Sequence, residues 1–159
     1  MEADSLRDFD IVVYGATGFT GALVAEYLQT HHSEIRWAIA GRSPSKLESV
    51  KKQLGNAELP TIEADSDSAV DMARLAGTAK VIISTVGPYA QHGTKLLEAC
   101  AAEGTHYCDL TGEPQWMAAV FEKVSDMAEE SGARLVHCCG FDSIPSDLGV
   151  FVAQKIMRE

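Results

Sequence analysis

The chain has 159 residues, 46% of them hydrophobic, which suits one globular domain and supplies enough apolar surface to cover both faces of a sheet. Its 13 basic against 23 acidic residues leave a formal net charge of −10, which argues against nucleic acid and against an anionic membrane surface as partners, since each needs a basic face. No stretch approaches the roughly 20 unbroken apolar residues of a transmembrane segment, and the acidic Met1-Glu2-Ala3-Asp4-Ser5 is unlike a signal peptide, so a cytoplasmic setting is expected.

Residues 1–9 read as a polar lead-in with no fold of its own, and 10–159 as a single domain. The first strand, Ile11–Tyr14, runs into Gly15-Ala16-Thr17-Gly18-Phe19-Thr20-Gly21 and then a helical pattern over 19–30. That order of strand, tight turn and helix is what the phosphates of a dinucleotide require. Gly15 is expected to turn with positive φ, Gly18 to let the main chain approach a pyrophosphate, and Gly21 to let the helix lie close on the sheet. Thr17, Phe19 and Thr20 belong to the same cradle, where the helix N-terminus offers N–H groups and a partial positive charge.

The second strand, Trp37–Ala40, ends in Gly41-Arg42-Ser43. An NAD-specific domain would carry a carboxylate at this tip for the ribose 2′-OH; an arginine about 20 residues past the glycines instead suits a 2′-phosphate, with Ser43 as a second donor. NADP(H) is therefore expected over NAD(H). The other reading of Arg42 is a solvated turn residue, and Lys46 is a less direct candidate. Ser43-Pro44 starts a helix over Ser45–Leu54, which Gly55 stops. A third strand, Leu59–Glu63, leads to Asp65-Ser66, placed either to meet an adenine ring or to cap the next helix. Asp67 or Ser66 would cap that helix, with Gly77 ending it after Ala76.

The fourth strand, Val81–Thr85, is followed by Val86-Gly87-Pro88-Tyr89, a close-approaching loop at the switch point of a doubly wound sheet, suited to the ribose and nicotinamide. Then come a helix over Thr94–Glu103, a strand His106–Leu110, and a helix Pro114–Ser131 with Met117, Val120, Phe121, Val124 and Met127 facing inward. A strand Arg134–Cys138 and a last helix from about Pro145 complete the pattern. Six strands alternating with helices predict an α/β, doubly wound (Rossmann) parallel sheet with helices on both faces, in order 3-2-1-4-5-6.

Tyr89, Asp109, Glu113, Asp142 and Asp147 all fall at the carboxyl ends of strands and could converge on a cleft, although none has a catalytic assignment. A tyrosine four residues before a lysine, the proton relay of short-chain dehydrogenases, is missing: Tyr89 is followed at that spacing by Gly93 and Tyr107 by Thr111. No GxSxG, HExxH or Walker pattern supports a hydrolase or nucleotidase. Cys100, Cys108, Cys138 and Cys139 lack metal-ligand spacing and read as reduced, apolar residues, with Cys138 and Cys139 on opposite faces of a strand; no metal is expected.

Five ordered blocks resemble the N-terminal NADP-binding domain of the saccharopine dehydrogenase-like oxidoreductases, and among them the mycobacterial trans-acting enoyl reductases. The blocks are Tyr14 to Gly21, Ala40 to Ser43, Val86 to Tyr89, Asp109 to Pro114 and Gly140 to Gly149. The resemblance implies hydride transfer from NADPH to a polyketide-derived or lipid-linked enoyl chain, seated by a further domain that this chain lacks, so that the chain alone would bind cofactor with little turnover. The other reading is a non-catalytic NADP sensor that changes its contact with a partner protein. Oligomeric state is not legible.

Overall fold

The computed structural model describes residues 7–32 and 34–158. Six strands, β1 (Phe9–Tyr14), β2 (Trp37–Gly41), β3 (Thr61–Glu63), β4 (Ala79–Ser84), β5 (His106–Asp109) and β6 (Leu135–Val136), form one sheet in the order β3-β2-β1-β4-β5-β6. All five pairings are parallel. The helices are α1 (Phe19–His31), α2 (Pro44–Gln53), α3 (Ala69–Thr78), α4 (Tyr89–His92), α5 (Thr94–Glu103), α6 (Pro114–Ser131) and α7 (Ile144–Arg158). This is the doubly wound α/β architecture that the alternation of elements predicts.

Successive strand residues point to opposite faces, and the sequence supplies apolar side chains to both. Val13 and Ile39 join Ala25, Leu28, Leu47 and Val50 under α1 and α2. Val12 and Ile82 join Met72, Leu75, Leu97 and Cys100 on the other face, under α3 and α5, where Trp116, Val120 and Val124 of α6 also pack.

Several boundaries differ from the sequence expectation. Of the lead-in, residues 1–6 lie outside the described part; Arg7 is engaged, donating to Ala76 O at 3.1 Å and Glu103 O at 2.6 Å, where α3 and α5 present their last carbonyls. The first strand accordingly starts at Phe9. Helix α3 is capped by Ser68, whose Oγ accepts from Asp71 N at 3.1 Å, and it runs through Gly77 to Thr78. Phe121 is 69% exposed, because the stripe that α6 turns inward is Trp116–Val120–Val124, spaced by four. The sixth strand is cut to two residues by the Asp109 backbone and carboxylate, which draw the N–H groups of Cys139 (2.7 Å) and Cys138 (3.2 Å) out of the ladder. Cys138 takes φ +62° there, so the two cysteines sit in a turn, off the strand. Helix α7 buries none of its side chains, leaving Leu148, Phe151, Val152 and Ile156 exposed.

Candidate functional site

The carboxyl ends of β1, β2 and β4 meet around the glycine loop. Gly15 has φ +91°, and a Cβ there would stand 2.7 Å from both Thr85 Oγ1 and Val86 Cγ2, so backbone geometry and neighbours both require glycine. Gly21 is just as constrained: its Cβ would overlap Gly15 O and reach within 2.7 Å of Thr85 Oγ1, so α1 sits close on the loop because position 21 is bare. Gly15 N donates to Ala40 O at 2.9 Å and Gly18 N to Gly15 O at 3.0 Å; Thr85 Oγ1 lies 3.1 Å from Tyr14 O and 3.2 Å from Gly15 O. Gly18 is the N-cap of α1, with no side-chain cap and no acidic residue in the first turn, which leaves first-turn N–H donors open to an anion.

Arg42, at the tip of β2, is exposed on the rim of the same crevice, and among the described residues its guanidinium has no hydrogen-bond or ion-pair partner. Ser43 leads into α2 with Oγ 3.3 Å from Ser45 Oγ, and Lys46 lies exposed on that helix. Asp65 is a turn former: its Oδ1 accepts from Asp67 N at 3.0 Å and its own N–H donates to Asp71 Oδ2 at 3.2 Å. That N–H, followed by Arg74, holds the Asp71 carboxyl below its ordinary range. Ser66 is nearly buried and pairs with His92 Nδ1 at 3.1 Å. Burial of Tyr14 beneath the loop pushes its phenol up to about 12.

One crevice is lined by seven of the residues singled out in the sequence, Gly15, Thr17, Gly18, Arg42, Ser66, Val86 and Gly87, together with Tyr14, Gly41, Thr85 and His92. Phe19, Thr20, Gly21, Ser43, Asp65 and Pro88 flank it without lining it. His92 escaped the sequence reading because the single turn of α4 reads as loop. Thr85, inside a predicted strand, looked like a ladder residue.

The groups expected to converge farther along the edge do not reach this crevice. Tyr89 is buried, donates from its hydroxyl to Ser84 O at 3.0 Å and accepts from Leu110 N at 3.1 Å; burial pushes it up to about 12. Glu113 clamps the start of α4, with Oε1 accepting from Tyr89 N at 2.7 Å and Oε2 from Ala90 N at 2.9 Å. Asp142 and Asp147 are exposed beyond the sheet. Asp109 has no exposed surface; it accepts from Tyr107 Oη (3.0 Å), Thr111 N (3.1 Å) and Cys138 N (3.2 Å), and its Oδ2 pairs with His137 Nδ1 at 2.7 Å.

The crevice offers a positive-φ turn, an open helix N-terminus and, where a 2′-OH-binding domain carries a carboxylate, a guanidinium without a partner among the described residues, a donor set that fits a dinucleotide with an extra phosphate. Residues 11–136 match the family described as the saccharopine dehydrogenase NADP binding domain. The chain is 47% identical over 147 residues to the trans-acting enoyl reductase of Mycobacterium leprae, an alignment that takes in 91% of this chain and 35% of that protein. It thus spans about a third of the length of the curated relatives it matches. Among solved structures it resembles saccharopine dehydrogenase (L-Glu forming) from Saccharomyces cerevisiae, with TM-score 0.77 and 16% identity over 94% of this chain and 32% of that one. It also resembles the leucoanthocyanidin reductase–NADPH complex from Vitis vinifera, with TM-score 0.57 and 22% identity over 80% and 48%. At these identities the two structures bear on the fold alone.

Proposed function

The chain belongs to the family of saccharopine dehydrogenase NADP binding domains, and from that premise we propose that it is the cofactor domain of a cytoplasmic reductase acting on an α,β-unsaturated acyl substrate. The observation that carries the cofactor half of this reading is Arg42, a guanidinium with no partner among the described residues, at the β2 tip on the same crevice as the glycine loop. Bound there, NADPH would have its pyrophosphate against Gly15, Gly18 and the α1 N-terminus and its 2′-phosphate against Arg42, with the nicotinamide end toward Val86 and Gly87. When bound, the cofactor supplies hydride. The chain's own residues hold and orient it, and the acyl chain is seated mainly by a further domain beyond 10–159.

The acyl half rests on the trans-acting enoyl reductases among the relatives. A non-catalytic sensor has no observation in its favour. Fluorescence titration of the chain with NADPH and NADH, followed by NADPH oxidation by the whole protein with trans-octenoyl-CoA, tests both halves. Preference for NADPH and turnover of the enoyl thioester are expected; equal affinity for the two nucleotides, or no oxidation, overturns the corresponding half.

A further inference from the structure

Within the crevice the imidazole of His92 is engaged through Nδ1 with Ser66 Oγ at 3.1 Å, and Tyr14 is buried under the loop. A second imidazole lies two strands away. Ser84 of β4 pairs with Asp109 of β5, and Cys108 with Val136 of β6, so His137 stands beside Asp109 just past the end of β6. With neighbouring strands about 4.8 Å apart, His137 is roughly 10 Å across the sheet from the level at which Thr85, Val86 and Gly87 leave β4 for the crevice.

How His137 is held distinguishes it from a packing histidine. Its Nδ1 donates to Asp109 Oδ2 at 2.7 Å. As a carboxylate, Asp109 can only accept, so Nδ1 carries the proton of that bond; its other oxygen, Oδ1, accepts from the N–H groups of Thr111 and Cys138. Tyr107, whose burial raises its phenol well above the ordinary value, keeps its proton and donates as well. The ring is fixed edge-on against Trp116 (centroids 5.2 Å, 74°) and Tyr107 (6.1 Å, 73°). Trp116 in turn stacks on Tyr89 at 5.6 Å, which ties the imidazole to the loop that borders the crevice.

The second nitrogen is different. Among the described residues Nε2 has no partner, and no buried polar side-chain atom lacks one, so Nε2 keeps some accessible surface on a side chain that is 18% exposed. A carboxylate fixing one nitrogen so that the other faces outward is the arrangement that orients an imidazole for proton transfer. Independently, Cys138 departs from His137 at φ +62°, a backbone state that side-chain-bearing residues rarely take and that clusters at functional sites. That turn brings the Cys138 N–H and the His137 ring to the same carboxylate.

We propose that His137 is the proton donor of the reduction, acting from its Nε2 on an acyl thioester that lies across the ends of β4, β5 and β6, with Asp109 as its positioning residue. This rests on the enoyl reading above. In the step, the substrate β-carbon gains the hydride and the carbon–carbon π pair moves to the α-carbon by way of the enolate. That α-carbon takes the Nε2 proton of the His137 imidazolium, leaving the neutral ring with its Nδ1–H on Asp109, and Nε2 is reprotonated from solvent. The alkene is reduced, NADPH is oxidised to NADP+, and one proton is consumed.

The test uses the whole protein with trans-octenoyl-CoA. His137→Asn is expected to lower kcat about 100-fold or more, with KM and the NADPH dissociation constant nearly unchanged, as removal of a general acid does. His137→Gly should regain turnover when imidazole is added, which a packing role would not produce and which decides the matter if the asparagine variant folds poorly by near-ultraviolet circular dichroism. Apart from turnover, carbethoxylation of His137 by diethyl pyrocarbonate, read by mass spectrometry, should be slowed by octanoyl-CoA with NADP+. Asparagine at full kcat, no imidazole rescue, or labelling indifferent to octanoyl-CoA overturns the assignment. A parent protein that binds NADPH but reduces no octenoyl-CoA overturns the enoyl reading itself, and the donor falls with it.

Discussion

Replacing Arg42 by alanine isolates the charge at the β2 tip. Among the described residues the guanidinium has no partner in the protein, so the substitution removes nothing that holds the fold and Tm should stay at the parent value. What it removes is a charge-assisted, bidentate contact with a 2′-phosphate. Such hydrogen bonds contribute about 1.5–3 kcal/mol. Arg42 is exposed, and water and salt weaken the contact, so about 1–2 kcal/mol is the appropriate range, or a roughly 5- to 30-fold loss of NADPH affinity. NADH, which has no 2′-phosphate, should bind both proteins equally. Raising salt from about 0.1 M to 1 M shortens the Debye length from about 10 Å to 3 Å, so the parent's preference for NADPH should narrow while the variant's does not. Arg42→Lys should fall between, keeping the charge without the fork. Titrations of each protein with both nucleotides at two salt concentrations give the ratios. Arg42→Ala with the parent's NADPH-to-NADH ratio, or with both affinities reduced alike, refutes the reasoning.

The loop glycines should separate by mechanism. Gly21→Ala puts a methyl on the backbone oxygen of Gly15 and 2.7 Å from Thr85 Oγ1, so α1 must shift, at about 1–3 kcal/mol of stability in thermal or urea unfolding. Gly18→Ala meets nothing nearer than Gly15 O at 3.4 Å, so it should unfold near the parent midpoint and lose NADPH affinity instead; equal midpoints for the two variants would count against this division. Asp10 tests electrostatics at the opposite end of β1. Lys80 at 2.9 Å and then Arg36 at 3.3 Å hold its carboxyl down at about 2. A depressed carboxylate stabilises above its unfolded value near 4 and loses that contribution as pH falls toward 2. Asp10→Asn should therefore cost under about 1 kcal/mol at neutral pH, and the gap to the parent should close between about pH 4 and pH 2; a gap that persists at pH 2 contradicts the assignment.

What sequence could show depended on whether the deciding contact was local. Strand alternation, the positive-φ turn at Gly15 and the Pro44 helix start are properties of a few adjacent residues. The strand order follows once the glycine turn marks β1. Ser66, Asp67 and Ser68 are all good cap types, and the choice among them is tertiary: Ser66 is held by His92, Asp67 is turned by Asp65, and Ser68 is left to cap. Likewise nothing near Glu113 reveals that its carboxylate closes on Tyr89 and Ala90, more than 20 residues earlier. Phe121 and Trp116 lie five apart on α6, so they cannot share its inward stripe; which one is buried depends on the aromatic ring of Tyr89 stacked against Trp116.

Those same tertiary contacts explain how a chain of net charge −10 can present an anion site. Four acidic groups near the carboxyl edge of the sheet are engaged internally: Glu113 by two backbone N–H groups, Asp109 by Tyr107, Thr111, Cys138 and His137, and Asp65 and Asp71 by their own turn and Arg74. Around the glycine loop, in contrast, the first turn of α1 has no acidic cap and Arg42 has no acidic partner among the described residues. The potential that a phosphate meets is set by the nearest unpaired charges and dipoles, because charges beyond about one Debye length are screened. Neutralising distant surface carboxylates should therefore change NADPH affinity far less than a single Arg42→Glu substitution, which reverses the sign of the charge at the crevice itself.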